Sequence, residues 1–268
     1  MGQFVFLTTT LLVVTFLVSW QGLKQQYIID KYAFNIEKVQ INKEYIRFIS
    51  SGFLHVNWLH LIINMFVLFS FGSGLEARLG VLPFAIIYFS SLTGGNLLAL
   101  LIHKHNPHYT SVGASGAISG LIFASIAITP NLVIFFIPGW VFGLLYVLYT
   151  IYAIRSNRTD VGHAAHLGGA LIGMVAAILL FPTFVNLIPT AAILLPGLIL
   201  ILIMIKKPEL IMVNRKDQKK ALSYEDRYNL NRHEQKKEVD RILEKIAAKG
   251  MSSLSKKERE LLEQYSKS

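Results

Sequence analysis

Ser115 lies in a string of small residues, Gly113-Ala114-Ser115-Gly116, that opens one apolar run, and His166 lies inside another. A hydroxyl and an imidazole at bilayer depth are costly, so such groups in membrane segments mark functional sites by default. Together they are the minimum equipment of a serine hydrolase, because an imidazole that takes the hydroxyl proton turns a weak alcohol into a nucleophile. A second pair lies upstream. His60 and Asn64 are four residues apart and share one helical face, and each carries donors that lipid cannot satisfy. That face must look into protein or water. Two donors there suit a developing oxyanion, at about 2.7–4 kcal/mol each; tying helices together is the plainer reading of the same residues.

Ser115 stands where a helix would begin. Unpaired backbone N–H groups at such a start, its own included, carry partial positive charge and favour an anion beside the hydroxyl. Gly113 and Gly116 let the chain turn and let another backbone approach. The string alone carries little meaning, since small residues are common where membrane helices pack. Gly116 with Gly120 makes one small-residue ridge and Gly169 with Gly173 another, and ridges of this kind allow close helix contact in a membrane. If the two faces meet, His166 reaches Ser115 and can accept its proton. No Asp or Glu lies in the adjoining apolar runs, so the expectation is a Ser–His dyad with the ring held by packing. His55, five residues before His60, is expected to point elsewhere as a structural or cavity-rim residue, and His163 reads the same way. His103, His105 and His108 cluster in the connection before Ser115 and read as solvated, with gating of entry to the cavity as the alternative.

The elements that must position these groups are set by composition. The chain has 268 residues, 53% of them hydrophobic and only 16% charged, with a mean hydropathy of +0.48; soluble domains carry roughly 25% charged residues. Crossing hydrocarbon takes about 20 apolar residues, and such runs lie near 4–21, 53–73, 81–103, 114–129, 132–153, 164–182 and 187–205. The fold class expected is all-α, a polytopic membrane bundle. The fourth run is short, which suits a helix that begins below the membrane surface. The first lacks a basic start and a clear cleavage site, so it reads as an uncleaved span rather than a signal peptide. The connection 22–52, with Tyr27, Tyr32, Phe34 and Ile46, is long for a passive link; it is either an amphipathic element at the membrane interface or an ordinary solvated loop.

Two parts are expected: a membrane part, 1–206, and a basic helical tail, 207–268. The last 63 residues hold 17 of the 26 Lys+Arg and 11 of the 16 Asp+Glu. A basic tail facing anionic lipid accounts for the +10 net charge without nucleic acid. Within it, 231–249 has a helical stripe at Val239, Ile242, Leu243 and Ile246, ended by Gly250. Ser255 and Glu258 form a capping-box pattern that would open a second helix to about Tyr265. The absence of cysteine excludes disulfides, thiolate nucleophiles and Cys-ligated metals. No cofactor is expected, and the oligomeric state is open.

In this order the elements resemble the rhomboid family of intramembrane serine proteases. The resemblance covers about 45–182: His55, His60 and Asn64 in the second run, Gly113-Ala114-Ser115-Gly116 opening the fourth, and Ala165-His166-Leu167-Gly168-Gly169 in the sixth. Each motif is common alone; the ordered set is specific. It implies a six-helix core around a water-filled cavity, with 187–205 as an extra seventh helix, and cleavage of transmembrane protein substrates in or near the bilayer. By position, Ser115 corresponds to the nucleophile and His166 to the general base. His60 and Asn64 correspond to the oxyanion donors, completed by the Ser115 amide. Arg47 stands where the family has the arginine of a Trp-Arg pair in the first loop, and Glu76 with Arg78 fits a structural polar cluster. Two positions depart from the pattern: Ile46 replaces the tryptophan, and Ser119 stands where many members carry an aromatic that packs on the catalytic histidine. The tail resembles one found on some bacterial rhomboids, which implies a bacterial cytoplasmic membrane.

Two other readings stand beside this one. A catalytically silent rhomboid-like protein would bind membrane helices without cutting them. A metal site could draw on His55, His60, His163 and His166, although no HExxH pattern is present. Orientation is unresolved at this level. The family usually keeps its N-terminus in the cytoplasm and opens its active site outward. Lys24, Lys31, Lys38, Lys43, Arg47 and the basic tail instead belong on the cytoplasmic side by the positive-inside rule. An inverted protein, a seventh run that crosses only in part, and a violated rule all remain open.

Overall fold

The apolar runs become helices because lipid offers a backbone no hydrogen-bond partner but itself. The computed structural model describes residues 5–155, 162–206, 238–248, 250–255, 257–259 and 261–262. Five of its helices are long and apolar enough to cross a membrane: α1 (Phe6–Lys24), α2 (Trp58–Leu79), α3 (Val81–His103), α6 (His163–Leu180) and α7 (Leu187–Lys206). Two shorter apolar helices, α4 (Ser115–Ile128) and α5 (Gly139–Arg155), lie between α3 and α6. The fold is an all-α polytopic membrane bundle.

α3, α4 and α6 form its centre, with Phe84 and Tyr88, Leu121 and Phe123, and Leu167 and Met174 buried among them. Small residues set how close they come. A Cβ at Gly169 would overlap the carbonyl oxygen of Gly116, and one at Gly173 would overlap that of Gly120. The two glycine ridges therefore meet backbone to backbone, the close approach that such ridges permit in membranes. α2 shows the opposite face of the same economy: Leu59, Ile62, Phe66 and Phe69 recur at helical spacing and stay exposed, a stripe for hydrocarbon.

Two runs begin later than their composition suggests. The second starts its helix at Trp58, where the Asn57 side chain accepts the His60 N–H at 2.8 Å, a cap that satisfies an orphan donor. The fifth starts at Gly139 because 133–138 folds into a hairpin of β3 (Val133–Ile134) and β4 (Ile137–Pro138). Pro138 drives Ile137 toward an extended conformation. The turn places Phe135 (φ 46°) and Phe136 (φ 68°) in the left-handed region, with Phe136 99% exposed.

The first connection is not a loose loop. It folds into short helices at Gln26–Tyr32, Ile36–Gln40 and Arg47–Ser50. Its β1 strand (Phe34–Asn35) pairs antiparallel with β2 (Thr110–Ser111). Phe34, Ile36 and Val39 are buried with Ala99 and Ala164 in a small core of their own, while Tyr27, Tyr32 and Ile46 stay exposed. Arg47, only 3% exposed, holds this segment together. Its guanidinium donates to the carbonyls of Ala33 at 2.7 Å and Asp30 at 3.1 Å and pairs with Glu44 at 2.6 Å. That pairing keeps the Glu44 carboxyl below its ordinary range, so the ion pair is in place at neutral pH and is lost only on acidification below the usual carboxylate range. Ile46, in the place of the family's tryptophan, is 62% exposed. Arg47→Ala should lower stability by about 1–3 kcal/mol by orphaning two carbonyls, whereas Ile46→Ala should stay within about 0.5 kcal/mol; thermal melts in detergent compare them.

Glu76 and Arg78 do not form the joint cluster expected of them. The buried Glu76 carboxylate accepts the N–H groups of Leu7 at 2.8 Å and Thr8 at 2.7 Å. It thereby caps the start of α1, where charge and orphan donors attract a carboxylate. Arg78 instead donates to the Thr129 hydroxyl at 2.7 Å. They lie two residues apart on α2 and brace two different helices.

In the tail, 238–248 is helical, with Val239 and Ile242 buried and Leu243 half exposed. The capping box closes both ways: Glu258 N–H donates to the Ser255 hydroxyl at 3.3 Å, and Ser255 N–H to the Glu258 carboxylate at 2.8 Å. Lys245, then the Ser255 amide, holds the Glu258 carboxyl down to about 2. Residues 231–237, 249, 256, 260 and 263–265 of the two expected tail helices lie outside the described residues.

Candidate active site

Ser115 is the first residue of α4, and the turn before it is held from three directions. Asn96 on α3 donates to the Phe48 carbonyl at 2.9 Å and to the Ser51 hydroxyl at 3.1 Å. The Ser51 carbonyl in turn accepts the Gly113 N–H at 2.9 Å. Gly113 has φ 129°, and a Cβ there would sit 3.0 Å from Cε1 and 3.1 Å from Nε2 of His60. Only glycine permits both that backbone angle and that neighbour. The same geometry sets the His60 ring alongside the turn that delivers Ser115.

His166 lies in the first turn of α6, its N–H bonded to the Gly162 carbonyl at 3.0 Å. The glycine contacts between α4 and α6 bring the starts of both helices to one end of the bundle. There His166 Nε2 meets Ser115 Oγ at 2.5 Å, and both residues are half-buried rather than sealed. A ring nitrogen at that distance can accept a hydroxyl proton. Among the described residues no Asp or Glu is bonded to the His166 ring. Its neighbour is His163, buried, with the two rings edge to face at 6.4 Å and Tyr149 at 5.9 Å from His163.

His55 does not point away. It precedes the α2 cap, so helical spacing to His60 does not apply, and its buried ring meets His60 edge to face at 4.8 Å. Ser19 on α1 donates to the Phe53 carbonyl at 2.8 Å and also lies 2.8 Å from His55 Nδ1. A hydroxyl has one hydrogen, so His55 Nδ1–H is the donor to Ser19. Nε2 is then left with its lone pair toward the Ala114 N–H, a long contact at 3.5 Å. Asn64, buried on α2, donates to the His60 carbonyl at 2.8 Å. His60 thus reaches the turn, while the structure gives Asn64 a bond along its own helix and none to Ser115. The four histidines offered as metal ligands fall into two edge-to-face pairs. No group of three or more His, Asp or Glu fit to hold a metal occurs among the described residues.

Ser119 bonds the Tyr146 hydroxyl of α5 at 2.9 Å. Tyr146 reaches in from α5 and packs on Phe123 and Phe142. Sequence reasoning did not single out Ser19, Asn57, Asn96 or Tyr146. The signal was present for Ser19 and Asn96, since a hydroxyl or amide inside an apolar run calls for a partner. That partner lies 34 to 48 residues away and is invisible to local spacing.

Comparison with known proteins adds independent findings. The Rhomboid domain family matches residues 42–183, and a family of unknown function (DUF6576) matches 222–268. Rhomboid-like protein 11, chloroplastic, of Arabidopsis thaliana is 32% identical over 51% of this chain and 54% of its own length. Rhomboid protein 1, mitochondrial, of Saccharomyces cerevisiae is 32% identical over 58% of this chain and 47% of its own. Presenilin-associated rhomboid-like protein, mitochondrial, of Homo sapiens is 35% identical over 46% of this chain and 35% of its own. The chain spans about half the length, or less, of these curated relatives.

Proposed function

The chain belongs to the rhomboid family, its domain match covering more than half of the sequence, and from that premise we propose that it is an intramembrane serine endopeptidase cutting transmembrane protein substrates. The observation that carries the reading is the 2.5 Å approach of His166 Nε2 to Ser115 Oγ at the starts of two membrane helices. A substrate helix unwinds near small or helix-breaking residues and presents its backbone. His166 takes the Ser115 proton as Oγ attacks the scissile carbonyl carbon, and the carbonyl oxygen becomes an oxyanion. The Ser115 N–H, His60 and Asn64 are its donors; preorganised donors of this kind are worth about 2.7–4 kcal/mol each. As the C–N bond breaks, the proton passes from His166 to the leaving amine. Water, with His166 again as base, then hydrolyses the acyl-enzyme.

The division of labour follows the charge. Residues 1–206 form the membrane part that holds the chemistry, and 207–268 a basic tail suited to an anionic lipid surface. The protein is a multi-pass integral membrane protein, and we place it in a bacterial cytoplasmic membrane; the organelle addresses in the relatives' names are said of those proteins. Labelling of the purified protein with a fluorophosphonate probe tests the reading. Wild type should label, and Ser115→Ala should neither label nor cut a helical membrane reporter. Equal labelling of both proteins would remove Ser115 from its role, and an unlabelled wild type would favour a silent helix-binding protein.

A further inference from the structure

The two ends of the bundle differ in charge. At one end lie the start of α1, the turn between α2 and α3, the β3–β4 hairpin and the connection between α6 and α7. Glu76 bound to Leu7 and Thr8, Arg78 bound to Thr129, and the Asn186 N–H bound to the Ala127 carbonyl at 3.0 Å tie these elements together. Arg78 is the one Lys or Arg that the sequence places there. The exposed side chains at this end include Leu82, Phe135, Phe136 and Ile188.

The opposite end gathers the first connection, residues 103–114 and the start of α6. β1 pairs with β2, Gly113 is bonded to Ser51, and Gly162 lies beside the Tyr109 hydroxyl. Five cations from Lys24 to Arg47 lie in the first connection, and Lys104 follows α3. α5 ends at Arg155 and α7 at Lys206. The 20 residues of α7, at about 1.5 Å each, are long enough to bring the chain back across the hydrocarbon to this end. Residues 206–220 then hold six Lys or Arg. Of the nine Lys and Arg described up to Lys206, all but Arg78 lie in these connections or helix ends, at the end where Ser115 and His166 meet.

Lys and Arg in short loops and close to helix ends stay on the side where the chain is synthesised, and acidic residues count little. We propose that the protein sits with its Ser115–His166 end on the cytoplasmic side and the start of α1 outside. Resting on the endopeptidase reading, its substrates are then membrane proteins whose unwinding segment lies at the cytoplasmic boundary of their span. The opposite placement would carry eight of those nine cations across the membrane.

The chain has no cysteine, so single cysteines report position cleanly. His105 and Thr183 are exposed, lie at opposite ends and belong to neither the dyad nor its donors. In intact bacterial cells expressing the full chain, a membrane-impermeant maleimide should label Thr183→Cys at least about tenfold more than His105→Cys, and permeabilisation should make the two equal. The reverse pattern, or equal labelling before permeabilisation, overturns the orientation. Two reporters then share one helix and one scissile segment, placed at its cytoplasmic or its outer boundary. Cutting of the cytoplasmic reporter alone, lost in Ser115→Ala, supports the substrate class, and cutting of the outer one overturns it. Cutting of neither overturns the endopeptidase reading and the substrate class with it, while the orientation stands on the labelling.

Discussion

His166→Ala is expected to slow acylation of Ser115 by about 10⁴-fold or more, the scale on which removal of one member of a catalytic unit is felt. An alcohol is a poor nucleophile until a base takes its proton, and His166 is the base within reach at 2.5 Å. The fold should survive the change. His166 is half-buried in the first turn of α6, its backbone bond to Gly162 is untouched, and alanine favours a helix. His166→Gln separates a base from a tether: glutamine can hold a hydrogen bond to Ser115 but cannot accept its proton at neutral pH. Both variants should be equally inactive in probe labelling and reporter cleavage, with melting points near wild type. A glutamine variant retaining a tenth of the wild-type rate would show that His166 only positions the serine.

Gly169→Ala should be the most damaging single-methyl change away from the reacting groups. Its Cβ would overlap the Gly116 carbonyl oxygen, a backbone atom that no rotamer change can move aside. α4 and α6 must then part, at a cost of about 1–3 kcal/mol as in other overpacked cores. The functional loss should exceed that. Gly116 follows Ser115 and Gly169 lies three residues after His166, so the displacement falls between the two reacting groups. A misplacement of about 1 Å can cost about 10²-fold in rate. Gly74→Ala is the control, since nothing lies within 4 Å of a Cβ there; in the helix it should raise stability by about 0.4–1 kcal/mol. Melting in detergent and the rate of probe labelling, measured together on both variants, test the contrast. Equal behaviour of the two would mean that the ridges do not set the distance between Ser115 and His166.

Hydropathy and spacing alone carried much of this molecule. The apolar runs, the two glycine ridges, the hydroxyl and imidazole that lipid would not tolerate idle, and the Ser255–Glu258 box were all legible, because each depends on neighbours within a few residues. Local periodicity reports which face a residue occupies and stops there. It misjudged His55, which lies ahead of the α2 cap and so obeys no helical spacing. It joined Glu76 to Arg78, although each braces a different distant helix. It read 132–153 as one span, since apolar composition does not distinguish the β3–β4 hairpin from the first turns of a helix.

What only the packed bundle decided is what meets what across the chain. Ser19 reaches His55, Asn96 reaches the segment that holds Gly113, and Tyr146 reaches Ser119, each over dozens of residues. The sequence already contained every cation, but the meeting of Lys24 to Arg47, Lys104, Arg155 and Lys206 at one end depends on how many times the chain crosses and where each helix turns back. Those contacts are long-range because a bilayer makes each helix satisfy its own backbone, leaving side chains and glycine gaps to choose the neighbours.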